Sequence, residues 1–252
     1  MIRTIALLGA PIALAGLALP QAAAKSVGPL TQNVVVIAAH PDDELFMAPA
    51  IAALVREGNA VTIVHATPGD AGPGVSDLPK GERLAKVRRA EADCAGKALG
   101  TAEVVNLGFG DGRLAEHVRD GSLRKALGEA MVRADLVLTW GPDGGYGHAD
   151  HRLVSALATQ IVQARPAAAR PRLLYVGIPD GTLPPLPQMA DWATSDPALL
   201  TETIAYTPAD LAAATKAAQC HETQFDAFSR DGMMAMFDGT IWRGKVHFRP
   251  AF

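Results

Sequence analysis

The stretch Asn33–Glu44, NVVVIAAHPDDE, decides the fold. Val34 to Ala39 is a short run of β-branched and small apolar residues, continuous rather than alternating. Such a run suits a strand buried on both faces of a parallel sheet. It stops at His40-Pro41-Asp42-Asp43-Glu44. Pro41 cannot donate to a ladder and suits the first turn of a helix. His40 to Glu44 therefore reads as the loop at the carboxyl end of the first strand, feeding a helix over Leu45 to Arg56. In open α/β sheets ligands bind at such loops. A dinucleotide fold places glycines there; this chain places an imidazole and three consecutive carboxylates, which repel phosphate and attract a divalent cation. His40 and Asp43 are three apart, a spacing that turns both to one side of a helical start. Nitrogen plus carboxylate without Cys favours zinc or another late divalent metal over calcium. Asp42 stands beside the pair and need not join the ligand set. Acids also complement a helix N-terminus, but that leaves His40 unexplained.

The pattern of strand, turn and helix then repeats. Strands are predicted at Ala60–Thr67, Glu103–Leu107, Asp135–Trp140 and Arg172–Ile178, with a late one at Thr201–Tyr206. Helices are predicted over Glu82–Leu99, Gly121–Arg133, Arg152–Val162 and Pro208–Phe228. The alternation predicts a single-domain α/β fold, a three-layer Rossmann-like sandwich with a mostly parallel sheet. His65 lies inside the second strand and reads as a core histidine. Arg88 and Glu91 are three apart on one helix and read as a local ion pair. Residues 179–197 are Pro-rich and long for a compact domain, which suits a functional loop. The tail from Asp231 has no clear period.

The fourth strand opens into Gly141 to His151, GPDGGYGHADH. His148 and His151 sit at a strand-to-helix junction, the topological counterpart of His40 and Asp43. A catalytic zinc with one nitrogen and one oxygen from the first loop needs one more protein ligand. Either histidine supplies it, leaving the other for acid–base or electrostatic work. Asp150 is placed to hydrogen-bond a neighbouring imidazole and fix its tautomer. No G-x-S-x-G motif is present, so attack by water is expected rather than attack by a serine.

With 252 residues and 49% hydrophobic content, the chain is long enough to bury one substantial core. The net charge is −3 and no basic stripe occurs, so nucleic acid is not expected as a partner. Residues 1–24 read as a signal peptide: Arg3, an apolar run from Ile5 to Leu19, then Ala22-Ala23-Ala24. Residues 25–252 form the expected mature domain, periplasmic or secreted, with no stable membrane insertion. The only cysteines, Cys94 and Cys220, have the option of pairing in an oxidising compartment, although sequence cannot bring their Cα atoms together.

The sequences AHPDDE (39–44) and GGYGHADH (144–151) together resemble the PIG-L/LmbE-type zinc de-N-acetylases. The tyrosine-containing form is similar to the mycothiol-pathway branch, which acts on an N-acetylglucosaminyl inositol. Arg88 and Glu91 ahead of Leu99-Gly100, Asp111 in the next loop, and Lys216, His221 and Gln224 resemble further family positions. Ala149 departs from the proline usual there. The resemblance implies zinc, with iron(II) as the alternative, on His40, Asp43 and His151. It implies Asp42 as general base and His148 as the charged partner of the oxyanion or leaving amine. Tyr146 would reach the same oxyanion, Asp150 would orient His148, and Arg88 and Asp111 would contact the sugar. The implied substrate is a small molecule or glycan bearing an N-acetyl amino sugar. The alternatives are a secreted zinc amidase acting on a non-sugar amide and a vestigial sugar-binding protein.

Overall fold

Strand β1 (Asn33–Ala38) lies inside a seven-stranded sheet in the order β3-β2-β1-β4-β5-β7-β6. The computed structural model describes residues 31–252, so the predicted signal peptide lies outside the described residues. The other parallel strands are β2 (Ala60–His65), β3 (Glu103–Asn106), β4 (Leu136–Trp140) and β5 (Arg172–Val176). β6 (Glu202–Ala205) and β7 (Lys245–Pro250) complete the sheet, with β7 antiparallel to both β5 and β6.

The continuous apolar run in β1 is explained by two cores. Val34 and Val36 pack into one face with Leu136, Leu138 and Trp140 of β4. Val35 and Ile37 point to the other face, with Val137 and Leu173. The first face is covered by α1 (Ala48–Arg56), α2 (Glu82–Leu99), α6 (Pro208–Cys220) and α7 (Ala227–Phe237). The second is covered by α3 (Leu114–Arg119), α4 (Ser122–Ala130) and α5 (Ala149–Gln163). This is the expected three-layer α/β sandwich, and the described residues form one compact unit.

Three expectations change. The first helix opens as a 3-10 turn over Asp43–Met47 before α1 begins. The helix expected over 208–228 is two helices: α6 ends at Cys220, and Asp226 caps α7 by accepting from the Ser229 N–H at 2.7 Å. The tail without a period contains the end of α7 and strand β7. Burial against β5 and β6 makes that strand, and its own six residues carry too few alternations to reveal it.

Cys94 of α2 and Cys220 at the end of α6 form a disulfide, with Cα atoms 5.7 Å apart. Glu91, one turn before Cys94, does not pair with Arg88. Its carboxylate accepts from the Thr223 N–H at 2.7 Å and the Thr223 hydroxyl at 2.6 Å. The α2 helix and the segment after α6 are thus fastened twice.

Candidate metal centre

The strand order reverses between β1 and β4, and in such sheets the crevice at the carboxyl ends of those strands is the binding site. The His40 loop follows β1 and the His148–His151 segment follows β4, so topology alone brings the two motifs together. Asp43 is fixed first. Its Oδ2 accepts from the Ala39 and His40 backbone N–H groups at 2.8 and 2.9 Å. Its Oδ1 lies 2.9 Å from His151 Nε2. His40 Nδ1 lies 3.3 Å from His151 Nε2 and 3.8 Å from the Asp43 carboxylate.

The chemistry of these atoms tests whether a cation fits. His151 Nδ1 is 3.2 Å from the Gly144 carbonyl, which only accepts, so the proton belongs on Nδ1 and Nε2 presents a lone pair. His40 Nε2 faces Asp111 Oδ1 at 3.0 Å and Asp150 Oδ2 at 3.5 Å, so the proton belongs there and Nδ1 presents a lone pair. Two imidazole lone pairs and a carboxylate oxygen therefore converge. Each imidazole has its other nitrogen turned to an acceptor, as metal-binding histidines do. Electrostatics agrees. Burial opposes charge on His40, but Asp111, Asp150 and Asp43 outweigh it and push its pKa up to about 10. The carboxylates demand a positive charge at this point, which a proton or a divalent cation supplies. Burial also opposes the charge on Asp43, yet His151 and His40 hold it below the usual carboxylate range. The residues fit a divalent metal. His148 also brings a ring nitrogen near His40 and His151, but its Nδ1 accepts from the Asp150 N–H at 3.2 Å and the ring is only half-buried.

Asp42 sits beside this cluster in an unusual backbone. Its φ is 105°, in the region that favours glycine, and a non-glycine residue there costs about 1–3 kcal/mol. Contacts on both sides hold it. Its N–H donates to Glu44 Oε2 at 3.0 Å. Arg88 Nη2 donates to the preceding Pro41 carbonyl and lies 3.2 Å from Asp42 Oδ2. Burial pushes the Asp42 carboxyl up to about 6, with Arg88 opposing. Glu44 is fully buried. Its carboxylate takes His65 Nε2 at 2.9 Å and His221 Nε2 at 2.7 Å. Burial opposes its charge, but His221 and His65 pull it well below the usual range.

The mouth of the site is aromatic. Tyr146 is 43% exposed, with its ring 5.0 Å from His151 and 5.4 Å from Trp192. Trp192 comes from the Pro-rich segment, which is pinned here by the Ala193 N–H donating to the Gly145 carbonyl at 2.7 Å. Gly145 is required: its φ is +69°, and a Cβ would sit 2.7 Å from the Trp140 ring. Trp140 in turn stacks on His151, with centroids 5.7 Å apart.

Several expected roles move. Arg88 is 2% exposed. Its Nη atoms donate to Gly69, Gly72 and Pro41 carbonyls and meet Asp42, so it clamps the loops instead of facing a sugar. Asp111 is turned inward, toward His40 and the Ala71 N–H. The Asp150 carboxylate accepts from the Gly112 N–H and faces His40; only its backbone N–H meets His148. Burial, then His40 and His151, push His148 below the ordinary imidazole value. Glu44, His65 and Thr223 were not expected as site residues, and His221 had no expected role. Their partners lie 21, 132 and 177 residues away in sequence, beyond the reach of spacing.

Residues 35–162, about half of the 252, match the PIG-L family, described as GlcNAc-PI de-N-acetylase. The chain belongs to this family. Among curated PIG-L relatives, the 1D-myo-inositol 2-acetamido-2-deoxy-alpha-D-glucopyranoside deacetylase of Nakamurella multipartita is 34% identical over 58% of this chain and 58% of its own length. The protein of the same name from Rhodococcus erythropolis is 32% identical over 56% of each. The chain thus spans a little over half the length of the curated relatives it matches. N,N'-diacetylchitobiose deacetylase from Pyrococcus horikoshii shares the fold, with a TM-score of 0.67 and 22% identity over 87% of this chain and 83% of that one. The PIG-L match ends within α5. Trp192, His221 and Thr223 lie beyond it and still reach the site.

Proposed function

We propose that this protein is an exported, metal-dependent hydrolase that removes the acetyl group from an N-acetylated amino sugar or its conjugate. The observation that carries the reading is the convergence of His40 Nδ1, His151 Nε2 and Asp43 Oδ1, with Asp42 next to Asp43 in the same loop. His40, Asp43 and His151 would hold zinc, or iron(II). A metal there polarises an amide carbonyl and makes water a better nucleophile at neutral pH. Asp42 takes the water proton as the water oxygen bonds to the carbonyl carbon. It passes that proton to the amide nitrogen as the C–N bond breaks, so acetate and a free amine leave. Such general base catalysis is worth ~10²–10⁴-fold. The tetrahedral oxyanion needs donors. His148 has Nδ1 occupied by the Asp150 N–H, so its neutral ring carries the proton on Nε2 and donates there. Burial, then the nearby Asp43 and Asp42 charges, raise the Tyr146 hydroxyl well above its ordinary value, which keeps it a donor. The names of the relatives support an N-acetylated sugar as substrate class.

Acetate and amine release, assayed over a panel of N-acetylglucosaminides and simple N-acetyl amides with and without chelator, tests the reading. Release from the sugars, abolished by chelator and restored by zinc or iron(II), is expected. Release from the non-sugar amides alone would replace the substrate class, and no release from any of them would leave a binding protein. Export rests on residues 1–24. Mass spectrometry of the protein from its native cells is expected to find an N-terminus near Lys25.

A further inference from the structure

The catalytic proposal leaves three fully buried ionisable groups, Glu44, His65 and His221, without a role. Glu44 has two carboxylate oxygens and three donors: His65 Nε2 and the Asp42 N–H on Oε2, and His221 Nε2 on Oε1. A residue needed only to fill the core would be apolar, because burying a carboxylate is costly unless it is well paired. The pairing here is elaborate. His65 comes from the end of β2, and His221 follows α6, where the neighbouring Cys220 is bridged to α2. Both histidines leave Nδ1 buried without a partner, so their only polar contact is Glu44. Three separate parts of the fold thus converge on one carboxylate, and that carboxylate holds the N–H of the residue with the strained backbone.

We infer that Glu44, anchored by His65 and His221, is the positioning residue for Asp42, holding its backbone in the left-handed region so that its carboxylate faces the metal cluster. The inference rests on the reading of Asp42 as the base. The geometry explains why the φ of 105° persists at a non-glycine residue. Arg88 restrains the peptide before Asp42 through the Pro41 carbonyl. The Leu45 N–H donates to the Asp42 carbonyl at 3.0 Å and restrains the peptide after it. Glu44 takes the remaining handle, the Asp42 N–H. Without it the residue is free to relax toward negative φ, which swings the carboxylate away. Misplacing a reacting group by about 1 Å costs up to ~10²-fold in rate.

A double-mutant cycle tests this. Glu44→Gln keeps the shape but removes the charge: where its NH2 group takes the Oε2 place the Asp42 N–H loses its acceptor, and where it faces His221 the remaining oxygen is a neutral and weaker acceptor for that N–H. In the otherwise native protein we expect kcat to fall about ten-fold or more, with KM and bound metal unchanged. In the Asp42→Asn background the same change should alter kcat by less than about two-fold, because a residue acting only through Asp42 has nothing left to act on. Amide exchange at the Asp42 N–H should quicken in the metal-loaded Glu44→Gln protein, a readout independent of turnover. An equal loss in both backgrounds, a loss of metal, or unchanged kcat would overturn the inference. If Glu44→Gln does not fold, His221 provides the second route. His221→Gln keeps a donor for Oε1 and should retain most activity, while His221→Leu should behave as Glu44→Gln was expected to; equal activity of the two would overturn the inference. If Asp42→Asn itself keeps full turnover, the base assignment fails. If Asp42→Asn is impaired and Glu44→Gln is not, only the positioning role fails.

Discussion

His40 Nδ1 and His151 Nε2 face each other at 3.3 Å across 111 residues of chain, each with its remaining nitrogen turned to an acceptor. Two nitrogen lone pairs repel unless something positive lies between them. A proton on His40 Nδ1 supplies that charge in the metal-free protein and a bound cation would replace it, which leads to the first prediction. His151→Ala should bind less than one-tenth of the metal of the native protein, and His148→Ala should keep its metal. Elemental analysis of folded protein decides between the two histidines, and full occupancy in His151→Ala would remove it from the ligand set.

Metal binding should also depend steeply on pH. The carboxylates around His40 push its pKa up to about 10, so a cation that takes Nδ1 must displace a proton. Affinity should rise as pH rises, and binding should release protons. Calorimetry in two buffers of different ionisation enthalpy measures the number released. A metal affinity that does not change between pH 6 and 8 would contradict this account.

Asp42→Asn should keep its metal and lose about 10²-fold or more in kcat. Burial pushes the native carboxyl up to about 6, and a neighbouring cation opposes that. The base works only when deprotonated, so the acidic limb of the pH–rate profile should lie at or below about 6, with activity lost as pH falls through it. That limb should be missing from the residual activity of Asp42→Asn.

How much of this was legible beforehand depends on how local each cause is. The ends of α2 at Glu82 and Leu99 followed from its apolar register and from Gly100, which adopts φ +77° at the cap. The meeting of the loops after β1 and β4 followed from short motifs on strand ends. Arg88 was misread because its environment comes from the loops at Pro41 and Gly69, not from its own helix, where Glu91 looked like its partner. β7 was missed because its neighbours, not its composition, make it a strand. The Glu44 network was invisible because no spacing rule relates residues 44, 65 and 221.

Stability should respond to the cap of α6. Thr207 accepts from the Asp210 N–H, and the Asp210 carboxylate accepts from the Thr207 N–H at 2.7 Å and from Arg56 at 3.1 Å. Thr207→Ala should cost about 1 kcal/mol, read as a lowered denaturant midpoint. Burial opposes the charge on Asp210, but Thr207 and Arg56 hold its pKa below the ordinary 3.8. Its contribution is therefore complete above that value and is lost as pH falls through the lower folded one. The Thr207→Ala penalty should be the same at pH 6 and pH 8.

The disulfide should matter more. Its partners are 126 residues apart, and closing a loop of that size is worth about 5 kcal/mol on the chain-entropy account. Cys94→Ser, or treatment of the native protein with a thiol reductant, should lower the melting temperature by several degrees or more. Equal melting temperatures with and without reductant would show that the bridge contributes nothing.

That bridge also fixes an order of events during biosynthesis. Cys220 follows Cys94 by 126 residues, so the covalent bond forms only after β1 to β6 and α1 to α6 have all emerged. The sequence holds just two cysteines, which allow a single intramolecular pairing. Maturation therefore requires an oxidant and no isomerase, because there is no scrambled isomer to repair. The competing outcome is a covalent dimer, formed when two chains meet before α2 and α6 have docked. Production in an oxidising host should give monomer and dimer in a ratio set by chain concentration.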